Sequence, residues 1–217
     1  MTTTLPLVFL LDLDNTLLDN DAVKKEIHRS LNGVLGKKEA DLFWKLNQEF
    51  RKREKYESFP TVIQEYCQKN HADTCDLKLG NVFSLIDFKQ SLFPQAIKTL
   101  KQLRSHGKVY IFTEGDEQYQ RRKLTQSGIM DVIDGAYIYR KKMNHWDEVV
   151  SQFPHSKIVV VEDRSTTLDK IAVLSPTAST IEVCQGHYSD VDHEPHQSNH
   201  TTIETIADLP RQMKMTS

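Results

Sequence analysis

The chain predicts an α/β fold, a parallel sheet flanked by helices and interrupted by a helical insertion, and three observations carry that prediction. Short apolar runs at residues 7–11, 109–112 and 158–161 are separated by segments of helical periodicity. Each run has the length and the Val, Leu, Ile and Phe content of a strand covered on both faces. Between the first and second runs, from about residue 19 to residue 92, apolar residues recur at helical spacing and nowhere alternate convincingly. Finally, two carboxylates, Asp12 and Asp14, stand directly behind the first run, at the kind of strand end where chemistry gathers in open parallel sheets.

Composition narrows the function classes. A chain of 217 residues, 38% hydrophobic and 27% charged, suits one compact α/β domain with room for a modest insertion. Lys and Arg number 28 against 30 Asp and Glu, a formal net charge of -2, so there is no general attraction to nucleic acid or to an anionic membrane. Any anion binding must be local. The apolar stretch at residues 5–11 stops at Asp12 and has no basic region before it, too short for a signal peptide or a membrane span, which predicts a cytoplasmic protein. Cys67, Cys75 and Cys184 are odd in number and lack CxxC spacing, so free thiols are expected rather than a zinc site or a disulfide framework.

The elements follow in order. After the first strand, Asn20 or Asp21 is placed to cap a helix whose apolar face is Val23, Ile27, Leu31 and Val34 or Leu35, ending near Gly36. Leu42, Phe43, Leu46 and Phe50 form one face of the next helix, and Lys45, Glu49, Arg51, Lys52 and Arg53 read as its solvated face. Pro60 suits a first turn before Val62, Ile63, Tyr66 and Cys67, and a mixed segment at 77–88 completes the insertion. Ala96, Ile97, Leu100 and Leu103 make a helix stopped by Gly107. The second strand runs into Thr113-Glu114-Gly115-Asp116, and a polar helix at 117–126 closes at Gly128, its Arg121, Arg122 and Lys123 read as an exposed face. A third strand is placed at 136–139, before Arg140-Lys141-Lys142 and a short helix around Trp146. The fourth strand meets Glu162-Asp163, a helix carries Leu168, Ile171 and Leu174, and a fifth strand is placed at 180–183. Residues 186–200 read as a polar, His-rich loop.

Four strand ends thus offer Asp12 with Asp14, Thr113, Lys142, and Glu162 with Asp163. This set suits phosphoryl transfer, because a carboxylate attacks a phosphate dianion only when the charge is neutralised and the groups are held in line. Asp12 is the expected nucleophile. Asp12, the backbone carbonyl of Asp14 and Asp163, supported by Glu162, suit a hard cation such as Mg²⁺. The Asp14 side chain is placed to protonate the leaving oxygen and then to deprotonate water, in a form that neighbouring acids favour. Thr113 offers a hydroxyl, Glu114 and Gly115 offer backbone amides to the phosphate, and Lys142 offers a fixed positive charge. Lys141, its neighbour, remains a rival for that last role.

In these motifs the chain resembles the haloacid dehalogenase superfamily: Asp12-Leu13-Asp14-Asn15-Thr16, a strand ending in Thr113, a lysine, and an acidic pair after a strand occur in the same order. Glu162-Asp163 departs from the commoner Asp-Asp or Gly-Asp pair of that superfamily, which leaves direct or water-mediated contact of Glu162 with the metal open. The resemblance implies a Rossmann-like core at 1–18 and 93–217, a helical cap at 19–92 that selects the substrate, and Mg²⁺. It also implies hydrolysis of a small phosphorylated metabolite through an aspartyl-phosphate. A phosphomutase needs the same acids, a phosphonate cleaver adds a cap lysine, and a non-catalytic binding protein keeps the fold without turnover. A dehalogenase needs neither Asp14 nor a metal.

Overall fold

The structure, a computed structural model, describes residues 5–70, 75–186 and 200–215. Among them six parallel strands, β1 (Leu7–Leu11), β2 (Gly107–Glu114), β3 (Gly135–Tyr139), β4 (Lys157–Glu162), β5 (Ser179–Val183) and β6 (Thr201–Ile203), form one sheet in the order β3-β2-β1-β4-β5-β6. The chain builds outward from β1 through β2 to β3, then returns to pair β4 on the other side of β1. β1 is therefore the switch point of the sheet, and the crevice at its carboxyl end is where ligands bind in such folds.

Burial on both faces explains the unbroken apolar run of β1. Phe9 and Leu11 enter one apolar cluster, and Val8 and Leu10 enter the other. The first cluster receives α5 (Ala96–Arg104) through Leu100 and Leu103, and α9 (Leu209–Met215) through Leu209 and Met213. The second receives α7 (Trp146–Val150) through Trp146 and α8 (Ser165–Leu174) through Leu168 and Ile171. The result is a helix-sheet-helix sandwich, the Rossmann-like α/β architecture.

Between β1 and α5 lie α1 (Asn20–Leu35), α2 (Lys37–Glu54), α3 (Phe59–Asn70) and α4 (Cys75–Ser84), with no strand among the described residues of that segment. The chain leaves and re-enters the core at one place: Asp19 N–H donates to Ser91 O at 2.8 Å and Phe93 N–H to Leu17 O at 3.0 Å. Asp19, rather than Asn20 or Asp21, caps α1, its carboxylate accepting Ala22 N–H at 2.8 Å. Asn20 is buried and its side chain is engaged elsewhere, as described below. The insertion touches the core where the Phe59 ring meets Tyr119 edge-on at 5.2 Å and Ser58 Oγ donates to Asp116 at 3.1 Å.

Two further sequence expectations change. Cys184 is a free thiol, but Cys67 is disulfide-bonded. β6 adds a sixth strand to the five expected. The histidines of the polar stretch at 187–199 lie outside the described residues. No helix among the described residues is long and apolar enough to cross a membrane.

Candidate active site

Parallel pairing brings the acidic strand ends together. Asp12 N–H donates to Val161 O at 2.9 Å, extending the β1–β4 ladder by one residue and setting Asp12 beside Glu162 and Asp163. All three carboxylates are buried, and each offers an oxygen such that these atoms lie within 4.8 Å of one another. Lys142 begins the short 3-10 turn Lys142–His145, and its side chain, 1% exposed, crosses under the cluster. Its Nζ lies 2.5 Å from Asp12 Oδ1, 2.6 Å from Glu162 Oε2 and 3.1 Å from Phe112 O. Lys141 is exposed, so of the two lysines Lys142 reaches the acids.

One ammonium does not balance three buried carboxylates. Burial, with the charge of Glu162, pushes Asp12 up to about 7 despite Lys142. Burial and the charge and hydrogen bond of Glu162 push Asp163 up to about 10. Glu162 goes the other way: burial would raise it, but Lys142 and Arg164 hold it below the usual carboxylate range. For Lys142 itself burial acts downward, and the charges of Asp12 and Glu162 outweigh it to hold the ammonium form. The surplus negative charge and the all-oxygen donor set fit a hard divalent cation. Asp12 and Asp163, with Glu162 in support, are the side chains that could hold it.

Asp14 has different company. Lys123 of α6 (Glu117–Gln126) is 1% exposed, and its Nζ lies 2.7 and 2.9 Å from the two Asp14 oxygens and 3.1 Å from Asn20 Oδ1. Gln120, one turn earlier on α6, donates from Nε2 to Asp14 Oδ2 at 3.0 Å, Thr113 Oγ1 at 3.1 Å and Glu114 O at 3.1 Å. The expectation that crowding by other acids favours protonated Asp14 is therefore replaced: Asp14 accepts bonds from a buried ammonium and an amide. The expected exposed face of α6 likewise fails at Lys123, because its partners lie in the core. Gly115 makes room for this arrangement, since a Cβ there would sit 3.0 Å from Gln120 Cγ. Its amide, expected to bind phosphate, instead donates to Tyr139 O at 2.8 Å, continuing the β2–β3 ladder.

The other residues of the first motif build the turn. Asn15 adopts a left-handed φ of 62°, its amide donates to Leu18 O at 2.7 Å, and its Oδ1 accepts Asn20 N–H at 3.1 Å. Gly186 lies against it, where a Cβ would come 2.9 Å from that of Asn15. Thr16 is buried, and its carbonyl accepts from Gln185 Nε2 at 2.7 Å. Thr113, also buried, is the penultimate residue of β2 and lines the same cavity as Asp12.

Above these groups opens a cavity of about 670 Å³. Its floor includes Asp12, Asp14, Thr113 and Asp163, and its other wall comes from α1 and the end of α2. Arg51 and Lys52, read from sequence as part of a solvated face, line it together with Lys24 and Lys55. Arg164 joins them from the core, its Nε 3.7 Å and its N–H 3.3 Å from Glu162 Oε1. Sequence reasoning did not single out Gln120 or Arg164, and nothing in their spacing marked them.

The model of the haloacid dehalogenase-like hydrolase family matches residues 7–167, a span that contains Asp12, Asp14, Thr113, Lys123, Lys142, Glu162 and Asp163. The chain belongs to this family. Among solved structures, a haloacid dehalogenase-like hydrolase from Burkholderia xenovorans LB400 superposes with a TM-score of 0.85 at 29% identity, covering 94% of this chain and 97% of that one. A HAD-hydrolase from Bacillus subtilis bound to magnesium gives a TM-score of 0.64 at 15% identity over 97% and 99% of the two chains. L-2-haloacid dehalogenase from Xanthobacter autotrophicus, with chloropropionic acid covalently bound, gives 0.63 at 13% over 99% and 100%. At those identities the last two share the fold alone. No curated protein sequence matches the chain. Within this hydrolase family, a buried acidic cluster, a lysine crossing it and a second acid on a separate ammonium define the candidate site.

Proposed function

We propose that this hydrolase is a Mg²⁺-dependent phosphatase acting on a small phosphorylated metabolite through an aspartyl-phosphate at Asp12. The observation that carries the reading is the separation of the two acids: Asp12 sits with Lys142, Glu162 and Asp163, and Asp14 sits apart with Lys123 and Gln120. Displacing a halide needs only the first group. An alkoxide leaving group also needs a proton, which the second group can supply.

Asp12 Oδ attacks phosphorus, the bond to the leaving oxygen breaks, and that oxygen takes a proton from the Asp14–Lys123 pair. Water then gives its proton back to the pair and attacks phosphorus, and phosphate leaves Asp12. Thr113 donates to a phosphoryl oxygen, and Lys142 holds Asp12 in its attacking orientation. Mg²⁺, held by Asp12, Asp163 and the Asp14 carbonyl with Glu162 in support, would neutralise charge on the phosphoryl oxygens. The cavity wall from α1 and α2 closes over the leaving group and selects it.

Phosphate release from a panel of phosphorylated metabolites, with and without Mg²⁺, tests this directly. Asp12→Asn should abolish release. Chloride release from a 2-haloacid would support a dehalogenase instead. A borohydride-trapped lysine adduct would support the phosphonate-cleaving alternative, for which Lys24, Lys52 or Lys55 would be the source.

A further inference from the structure

We propose that the substrate carries a second anionic group, a carboxylate or another phosphate, on its leaving-group side, bound by Lys24, Lys52 and Lys55 of the cavity wall. This rests on the phosphatase reading above. Its basis is how the cations around the cavity are used. On the core side both lysines are bonded to carboxylates, Lys142 to Asp12 and Glu162 and Lys123 to Asp14, and Arg164 approaches Glu162 at 3.7 Å. On the opposite wall Lys24, Lys52 and Lys55 form no ion pair with any described residue, and Arg51 has only a 3.8 Å approach to Glu57. Glu57 also accepts from Asn47 Nδ2 at 3.2 Å, which leaves Asp21 as the remaining acid of that wall. The wall is net positive and faces the space above the catalytic acids.

Basic residues at the end of α2 complement the helix dipole, and that is the simpler account of their presence. It does not account for their direction. Arg53, on the same turn, bonds Glu54 at 2.8 Å and Glu65 at 2.7 Å and is not part of the cavity, whereas Arg51, Lys52 and Lys55 are. Lys55 caps α2 at a left-handed φ of 66°, a position where glycine is the usual occupant because a side chain there is strained. A lysine at that cost places its charge on the cavity. The volume of about 670 Å³ leaves room beyond one phosphoryl group for a leaving group that reaches this wall.

Three matched substrates test the proposal with the full chain and Mg²⁺: propyl phosphate, its ω-carboxylate and its ω-phosphate. The expected kcat/KM is about tenfold or more higher for one or both of the doubly anionic members, with the gap narrowing as salt is added. Which member is preferred separates a carboxylate from a phosphate as the second group. Replacing Lys52→Gln and Lys55→Gln together should cut kcat/KM for that member about tenfold more than for propyl phosphate. Arg53→Gln, a single-charge control on the same helix outside the cavity, should leave the ratio where it is. Equal kcat/KM for all three substrates, or a ratio untouched by the double replacement, overturns the proposal and leaves the phosphatase reading standing. Phosphate release from none of them, nor from a generic aryl phosphate, overturns both.

Discussion

The two walls of the cavity treat positive charge in opposite ways. On the core side Lys142 and Lys123 are each 1% exposed and each lies within 3 Å of a carboxylate oxygen. On the insertion side Lys52 and Lys55 are exposed and make no ion pair among the described residues. Burial makes the first set part of the fold, since an ammonium without its partner there would be too costly to keep. Solvent leaves the second set free to meet a ligand. On the proposed reading the core wall carries the chemistry and the insertion wall the selection, and that division can be broken at either side.

The largest effect should come from the proton-handling pair. Asp14→Asn is expected to lower kcat for alkyl phosphates by about 10²–10⁴-fold and to cost much less with nitrophenyl phosphate, whose leaving group needs no proton. Lys123→Met should follow the same leaving-group pattern. Equal losses on both substrates would mean that the pair only shapes the site. Lys142→Met comes next, because it strands Asp12 and Glu162 without their ammonium. A loss of about 3–5 kcal/mol in urea unfolding is expected, as for other broken buried pairs.

Mg²⁺ should act in a pH-dependent way. Asp12 and Asp163 are raised from 3.8 to about 7 and about 10, so the stability tied to their protonated forms is full below about pH 4 and is lost as pH rises through those values. A cation that binds the ionised forms offsets that loss. Thermal melts should therefore show little stabilisation by Mg²⁺ near pH 5 and a larger one near pH 8, about 2–3 kcal/mol at a hundredfold excess over Kd. The smallest effect belongs to the opposite wall, where Lys52→Gln should change unfolding free energy by no more than about 0.5 kcal/mol. A large loss there would contradict its assignment to selection.

How far sequence reasoning reached follows the same division. β1, β2 and β4 were legible because strands buried on both faces must be continuously apolar, as the runs at 7–11, 109–112 and 158–161 are. β6 was not, since three residues, Thr201–Ile203, at a sheet edge carry too little pattern. Asp12, Thr113, Glu162 and Asp163 were visible as polar residues at the ends of those apolar strands. Lys123 and Gln120 were hidden by a reversal of the usual rule. α6 buries Tyr119, Gln120, Lys123 and Leu124, so its inward face is largely polar and reads as solvent-exposed. The turn of α6 facing Asp14 is polar because hydrogen bonds, not apolar packing, hold it there. The orientation of Arg51, Lys52 and Lys55 was likewise invisible, because periodicity separates apolar from charged faces but does not tell a face on water from one on a cavity.

The central claim is covalent transfer of phosphoryl to Asp12, and acid quench of a turning-over mixture followed by peptide mass mapping tests it most directly. The account predicts a phosphorylated peptide with the modification on Asp12, absent from Asp12→Asn. A burst of phosphate with no phosphorylated Asp12, or phosphate found on another residue, would contradict it.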